Sequence, residues 1–184
     1  MLSNAPPRLE TVRLVLEPLV EAHADELFAR LSDAELYHFI PTEPYASIAE
    51  LRARFAHVAR GPAASDERWW NWAIATRETP RRVVGMVELS LQRHGERTLL
   101  AYTLGRDAWG CGYAREACSA ALAYLRASLA PLGAVAAYVD TRNARSIALL
   151  ERLGFAREGV LTNADYFKGG PSDEFVYGLT LREG

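Results

Sequence analysis

The stretch from Leu104 to Ala117, L-G-R-D-A-W-G-C-G-Y-A-R-E-A, constrains this chain more than any other. Gly110 and Gly112 carry no Cβ, so the backbone there can turn sharply and come close to a ligand. From Tyr113 onward the residues favour a helix. Ala114, Ala117, Ala120, Ala121 and Ala123 are strong formers, and Leu122 and Leu125 supply an apolar face. A glycine turn that runs into a helix leaves several N–H groups unpartnered at the positive end of the helix dipole, which makes an anion site. Taken alone, a glycine pair favours the plain reading of a tight strand-to-helix turn. The spacing excludes two common phosphate loops: no G-K-[ST] follows, and Arg115 stands where the dinucleotide motif G-x-G-x-x-G needs its last glycine.

The 184 residues suffice for one domain with a sizeable core, and we read residues 1–184 as one domain. Hydrophobic residues make up 49% and charged residues 24%, as in soluble globular proteins. A net charge of -2 gives no global attraction to nucleic acid or to an anionic membrane. No apolar run reaches the length of a membrane helix, and the N-terminus lacks the basic and apolar regions of a signal peptide, so the cytoplasm is the expected location. Cys111 and Cys118, if both lie on one helical run, are separated by roughly 10 Å along the axis, too far for a disulfide. Cys111 reads as a small loop residue, with a reactive thiol as the alternative. His23, His38, His57 and His94 are scattered without metal-ligand spacing; no metal is expected, and these read as surface or helix residues.

In chain order, Glu10 to Pro18 alternates as a strand and Glu21 to Leu31 has helical spacing. A loop carrying Tyr37, His38, Phe39 and Tyr45 follows, kept non-helical by Pro41 and Pro44. Ser47 to Glu50 is a capping box for a helix from Ile48 to about Ala59. A β-rich block opens at Trp69, with Asn71 read as fitting a strand edge. It continues past a turn at Thr79 to Arg82 into Val83–Leu91 and Arg97–Leu104, with Arg93 to Glu96 between them. The helix from Tyr113 ends near Leu129 and Pro131, and Ala134 to Val139 is a buried-type strand. Asn143 caps a helix that stops at Gly154. Ala156–Val160 and Glu174–Leu181 read as antiparallel strands joined by a long loop.

The run Trp109-Gly110-Cys111-Gly112-Tyr113-Ala114-Arg115-Glu116-Ala117, W-G-x-G-Y-A-x-E-A, resembles the acyl-CoA pyrophosphate loop of the GNAT acetyltransferases, in the RimJ and RimL branch of ribosomal-protein N-acetyltransferases. Trp109 stands where the superfamily usually has Gln or Arg, and Cys111 where Lys is common. The resemblance continues in Thr11-Val12-Arg13-Leu14, in Asn143-Ala144-Arg145-Ser146 and in Leu150-Glu151-Arg152-Leu153-Gly154-Phe155. It implies a mixed α/β GNAT fold, a mostly antiparallel central sheet flanked by helices in the order β-α-α-β-β-β-α-β-α-β-β. The periodicity leads to the same order independently.

The activity implied is acetyl transfer from acetyl-CoA to a primary amine, by direct attack in a ternary complex. Backbone donors from Cys111 to Arg115 would hold the pyrophosphate, with Leu104, Trp109, Gly110, Gly112, Tyr113 and Ala114 around the cofactor. The pantetheine arm would insert between Ala101–Leu104 and Ala136–Val139. Asn143 reads as an N-cap or as an arm contact. Ser146 is the candidate general acid for the leaving thiolate, since the family's tyrosine would fall at Leu150. The branch's strand glutamate would fall at Leu99, which leaves Glu88 as the candidate base against the plain reading of a solvated strand glutamate. Arg115, Arg145 and Arg152 are candidate cations for the 3′-phosphate. Tyr37 and Tyr45 would bind the acceptor, a protein N-terminal amine or a small-molecule amine. No nucleic acid or membrane partner is implied, and a homodimer is left open. Two rivals remain at this level: a non-catalytic acyl-CoA-binding or regulatory module, and an interaction domain that uses Trp69 to Trp72 as its surface.

Overall fold

The computed structural model describes residues 5–63, 67–91, 97–128 and 133–181. The elements are β1 (Leu9–Glu10), β2 (Leu14–Pro18), α1 (His23–Leu31), α2 (Ile48–Arg60), β3 (Arg68–Thr76), β4 (Val83–Leu91), β5 (Thr98–Leu104), α3 (Tyr113–Ser128), β6 (Ala134–Asp140), α4 (Ala144–Arg152), β7 (Ala156–Phe167) and β8 (Gly170–Thr180). Short 3-10 turns lie at Ala34–Tyr37 and Arg106–Ala108. Apart from the two-residue β1, this is the expected order. The turn at Arg93–Glu96 and the helix stop at Leu129–Pro131 fall outside the described residues.

One eight-stranded sheet runs β1-β2-β3-β4-β5-β6-β8-β7. Every neighbouring pair is antiparallel except β5 and β6, which are parallel and joined through α3. Period-two alternation splits the core between two faces. Trp70, Trp72, Ile74, Val87 and Leu89 pack with Cys118, Ala121, Leu125 and Leu150 on the α3 and α4 side. Ala73, Ala75, Val83 and Met86 pack with Leu27, Leu51 and Phe55 on the α1 and α2 side. Small residues on β3 let α1 and α2 approach closely, while the indoles fill the deeper side.

The caps follow the sequence signals. The Glu50 amide donates to Ser47 Oγ at 3.2 Å, while the Glu50 carboxylate accepts from the Ala46 amide at 2.9 Å. The Ser146 amide donates to Asn143 Oδ1 at 3.1 Å and opens α4.

Two expectations change. The loop before Glu174 is a hairpin instead: β7 and β8 stay paired as far as Phe167↔Gly170, closed by Lys168 and Gly169 at φ 52° and 81°. Positive φ at both central residues marks the two-residue turn whose twist suits a hairpin. Asn71 is not at a strand edge. It is buried in β3, which is flanked by β2 and β4. His23 is a helix residue, the first of α1, and is buried there; its Nδ1 accepts from the Val20 amide at 3.1 Å, and Nε2 lies 3.3 Å from Glu17.

Candidate active site

Gly110 and Gly112 adopt φ 75° and 79°, a region other residues reach only with strain, so the turn requires glycine at both places. A Cβ built on Gly110 would meet nothing within 4 Å, so the turn is open on that side. The first amides of α3 have no carbonyl partner within the helix, and they follow directly from this turn.

A cation unread from the sequence braces the turn from below. Arg13 Nη1 donates to the Cys111 carbonyl at 2.9 Å, its Nε donates to Glu116 at 2.7 Å, and its guanidinium lies 4.9 Å from the centre of the Tyr113 ring. Glu116 also accepts from Thr11 Oγ1 at 2.6 Å and from the Arg13 amide at 2.9 Å. Burial alone would raise the Glu116 pKa, but these hydrogen bonds and the Arg13 charge outweigh it and hold the carboxyl below its ordinary value. The only advance signal was the pairing of T-x-R-L with an acidic residue in the helix's first turn.

On the other side of the turn, Trp109 Nε1 donates to the Leu104 carbonyl at 2.9 Å, and the Leu104 side chain lies in the core. The Arg145 guanidinium stacks 4.5 Å from the Trp109 ring centre, linking the loop after β5 to the start of α4. Arg115 is exposed in the first turn of α3, and Arg152 is exposed at the far end of α4. Cys111 is exposed; Cys118 is buried, and burial pushes its thiol pKa well up.

The decisive geometry lies between β5 and β6. Their ladder contains only Thr98↔Val135 and Leu99↔Ala136. Beyond it, β5 stays paired to β4 as far as Leu104, while β6 follows β8 as far as Asp140. Ala101–Leu104 and Ala137–Asp140 therefore diverge as a slot. Because the strands are parallel, the glycine turn after β5 and the Asn143 cap after β6 stand at the same open end.

The two sides of the slot carry different chemistry. Trp72, Val87 and Tyr102 form one cross-strand row on the α3 and α4 side. There the Tyr102 hydroxyl is buried without a hydrogen-bond partner, and Ser146 of α4 is its polar neighbour. Burial pushes the Tyr102 phenol up to about 12. Asn143 uses its Oδ1 for the cap, which leaves its amide NH2 outside that bond.

The next row, Asn71, Glu88 and Ala101, faces α1 and α2. Ala101 is exposed, so Glu88 adjoins open surface beside the slot. Glu88 is partly buried, and burial raises its carboxyl pKa against the opposing pull of Arg54 on α2. Tyr45 completes this group: burial raises its phenol, its hydroxyl bonds Arg54, and Glu88 acts on it electrostatically. Tyr37 stands apart. It is buried, donates to the Leu31 carbonyl at 2.7 Å and has its phenol pushed up to about 12 by burial, so its hydroxyl serves the loop rather than open space. Lys168, in the β7–β8 turn, donates to the Tyr37 carbonyl and brings the hairpin tip against the loop after α1. Leu99, where a branch glutamate would fall, sits at the closed end of the slot. Trp70 and Trp72 are 1% and 0% exposed, which removes them from any partner surface.

Comparisons with known proteins agree with this arrangement. Residues 13–156 match the family model described as acetyltransferase (GNAT) domain. The chain is 30% identical to the uncharacterized N-acetyltransferase YoaA of Bacillus subtilis, over 94% of this chain and 96% of that protein. Two crystal structures share the fold. The ribosomal-protein-S5-alanine acetyltransferase of Vibrio fischeri superposes with a TM-score of 0.81 at 16% identity, covering 96% of this chain and 97% of that one. The spermidine N-acetyltransferase of Vibrio cholerae, in complex with CoA and spermine, superposes with a TM-score of 0.77 at 20% identity, covering 93% and 97%.

Proposed function

The chain belongs to the GNAT acetyltransferase family, and from that premise we propose that it moves an acetyl group from acetyl-CoA to a primary amine by direct attack in a ternary complex. The observation that carries the reading is the ladder that stops at Leu99↔Ala136, directly in line with the positive-φ glycine turn. A diphosphate with a long flexible arm fits an open anion turn that leads into a slot between strands.

Each group in the site then has one task. The thioester supplies an activated acetyl group. The amides from Cys111 to Arg115, at the positive end of α3, hold the diphosphate, with Arg115 and Arg145 as nearby cations. Arg13 and Glu116 keep that turn in shape. Asn143 and the freed backbone of β5 and β6 orient the arm, and Ser146 meets the departing sulfur. On the opposite side of the slot Glu88 accepts the amine proton, directly or through water. A carboxyl raised by burial lies nearer neutrality than a free glutamate, which suits a base acting at cellular pH. Tyr45 and Arg54 bound the acceptor position. The fold neighbours act on a ribosomal-protein alanine and on spermidine, so acceptors of both kinds, N-terminal α-amines and small amines, belong in the test.

The test is an acceptor panel with isotope-labelled acetyl-CoA, comprising short peptides with free N-termini, polyamines and free amino acids, read by mass of the product and release of CoA. An N-acetylated acceptor formed by the wild type and lost in Glu88→Gln supports the reading. Acetyl-CoA bound without transfer to any amine would identify a non-catalytic acyl-CoA module instead.

A further inference from the structure

Resting on that reading, we propose that Tyr102 is a positioning residue: its hydroxyl holds Ser146 in the orientation that meets the sulfur of CoA. The Tyr102 hydroxyl is buried and has no hydrogen-bond partner, although a buried hydroxyl is ordinarily satisfied. Its polar neighbour is Ser146. The Ser146 amide is bound to Asn143, which fixes the backbone there but leaves the hydroxyl free to rotate. Tyr102 stands on β5 within the segment that has left the β6 ladder, on the α3 and α4 side of the slot. Two hydroxyls from opposite walls thus meet where the arm would run.

With the phenol pushed up to about 12, Tyr102 keeps its proton at neutral pH and acts only as a donor. When it donates to Ser146 Oγ, the serine's own O–H is left to point away, toward the slot. In the transfer the N–C bond forms, and the C–S bond breaks with its electron pair on sulfur. The amine proton leaves through Glu88 and water. Sulfur takes the proton of the Ser146 hydroxyl, which regains one from solvent, while Tyr102 retains its own throughout. One proton leaves nitrogen and one arrives at sulfur. Cys118, the other polar group acting on the phenol, is a buried, protonated thiol and competes poorly as a partner.

The experiment compares wild type, Tyr102→Phe, Ser146→Ala and the double variant by calorimetric titration with CoA and with desulfo-CoA between roughly pH 7 and 9, beside melting of the free proteins. In the wild type the preference for CoA over desulfo-CoA grows with pH as the thiolate forms. Tyr102→Phe flattens that growth as Ser146→Ala does, and the double variant flattens it no further, because both act as one unit. The free Tyr102→Phe protein stays folded and melts within about 4 °C of wild type, since at most the single contact to Ser146 is lost. Its kcat falls by about tenfold while KM for acetyl-CoA stays within about twofold. A wild-type pH profile in Tyr102→Phe overturns the inference while leaving the acetyltransferase reading intact. Failure of the wild type to bind either ligand overturns both.

Discussion

Arg13 and Glu116, 103 residues apart in sequence, share a 2.7 Å hydrogen bond that ties the start of β2 to the first turn of α3. The same arginine holds the Cys111 carbonyl, so one ion pair sets the shape of the anion turn. Removing the carboxylate takes the partner of the Arg13 amide and Nε and one of the partners of the Thr11 hydroxyl, leaving the guanidinium, among the described residues, only the Cys111 carbonyl and the Tyr113 ring.

Glu116→Ala is therefore expected to destabilise the protein by about 1–2 kcal/mol, discounted for the solvent around Arg13. It should also weaken acetyl-CoA binding by roughly tenfold through the loosened turn. Chemical denaturation and calorimetry check the two effects separately; unchanged affinity in a folded Glu116→Ala protein would show that the turn holds its shape without the pair.

Glu88 offers a test by pH. Its carboxyl is raised in the folded protein, so the native state favours the protonated form, and wild-type stability declines as pH rises from the unfolded value, about 4.3, through the folded one. Glu88→Gln escapes that decline. The variant should melt roughly 2–4 °C above wild type at pH 7, with a smaller gap near pH 4, while losing most of its turnover. An equal gap at both pH values would mean that the carboxyl is not held out of solvent.

Asp140 works in the opposite direction. Hydrogen bonds from Arg142, together with that from Ser172, outweigh burial and hold its carboxyl down to about 2, anchoring the turn that presents Asn143 and Ser146. Its contribution is complete above the unfolded pKa near 3.9 and is lost as pH falls toward the folded value. Asp140→Asn should cost about 1–2 kcal/mol at neutral pH and converge with wild type toward about pH 2. Melting curves across that range decide it; a constant difference contradicts the assignment.

How much of this was legible beforehand depended on how local each cause was. Ser47, Asn143, Gly110 and Gly112 announce caps and turns because their physics is contained within a few residues. The β7–β8 hairpin was hidden because its edge strand is mostly exposed, so polar residues through Thr162 and Asn163 gave no alternation, and its bend comes from Lys168 with Gly169. The burial of Asn71 is not legible in line because strand position depends on which strands flank it, a property of the whole sheet. In the site, the glycine turn, Asn143 and Ser146 could be read in line. Arg13 beneath the turn, Arg54 beside Glu88 and Tyr102 beside Ser146 could not, because each joins residues that meet only when the sheet forms.

The measurement that bears most directly on the account is calorimetric titration of the purified protein with acetyl-CoA, alongside Gly112→Glu. That substitution forces a side chain onto φ 79°, crowds Arg13 Nη2 at 3.3 Å and adds a negative charge at the anion turn. The wild type is expected to show saturable one-to-one binding at about micromolar concentrations, lost in a variant that circular dichroism shows to be folded. A wild type that does not bind acetyl-CoA, or a Gly112→Glu variant that binds it equally well, would contradict the claim that this turn and slot receive the cofactor.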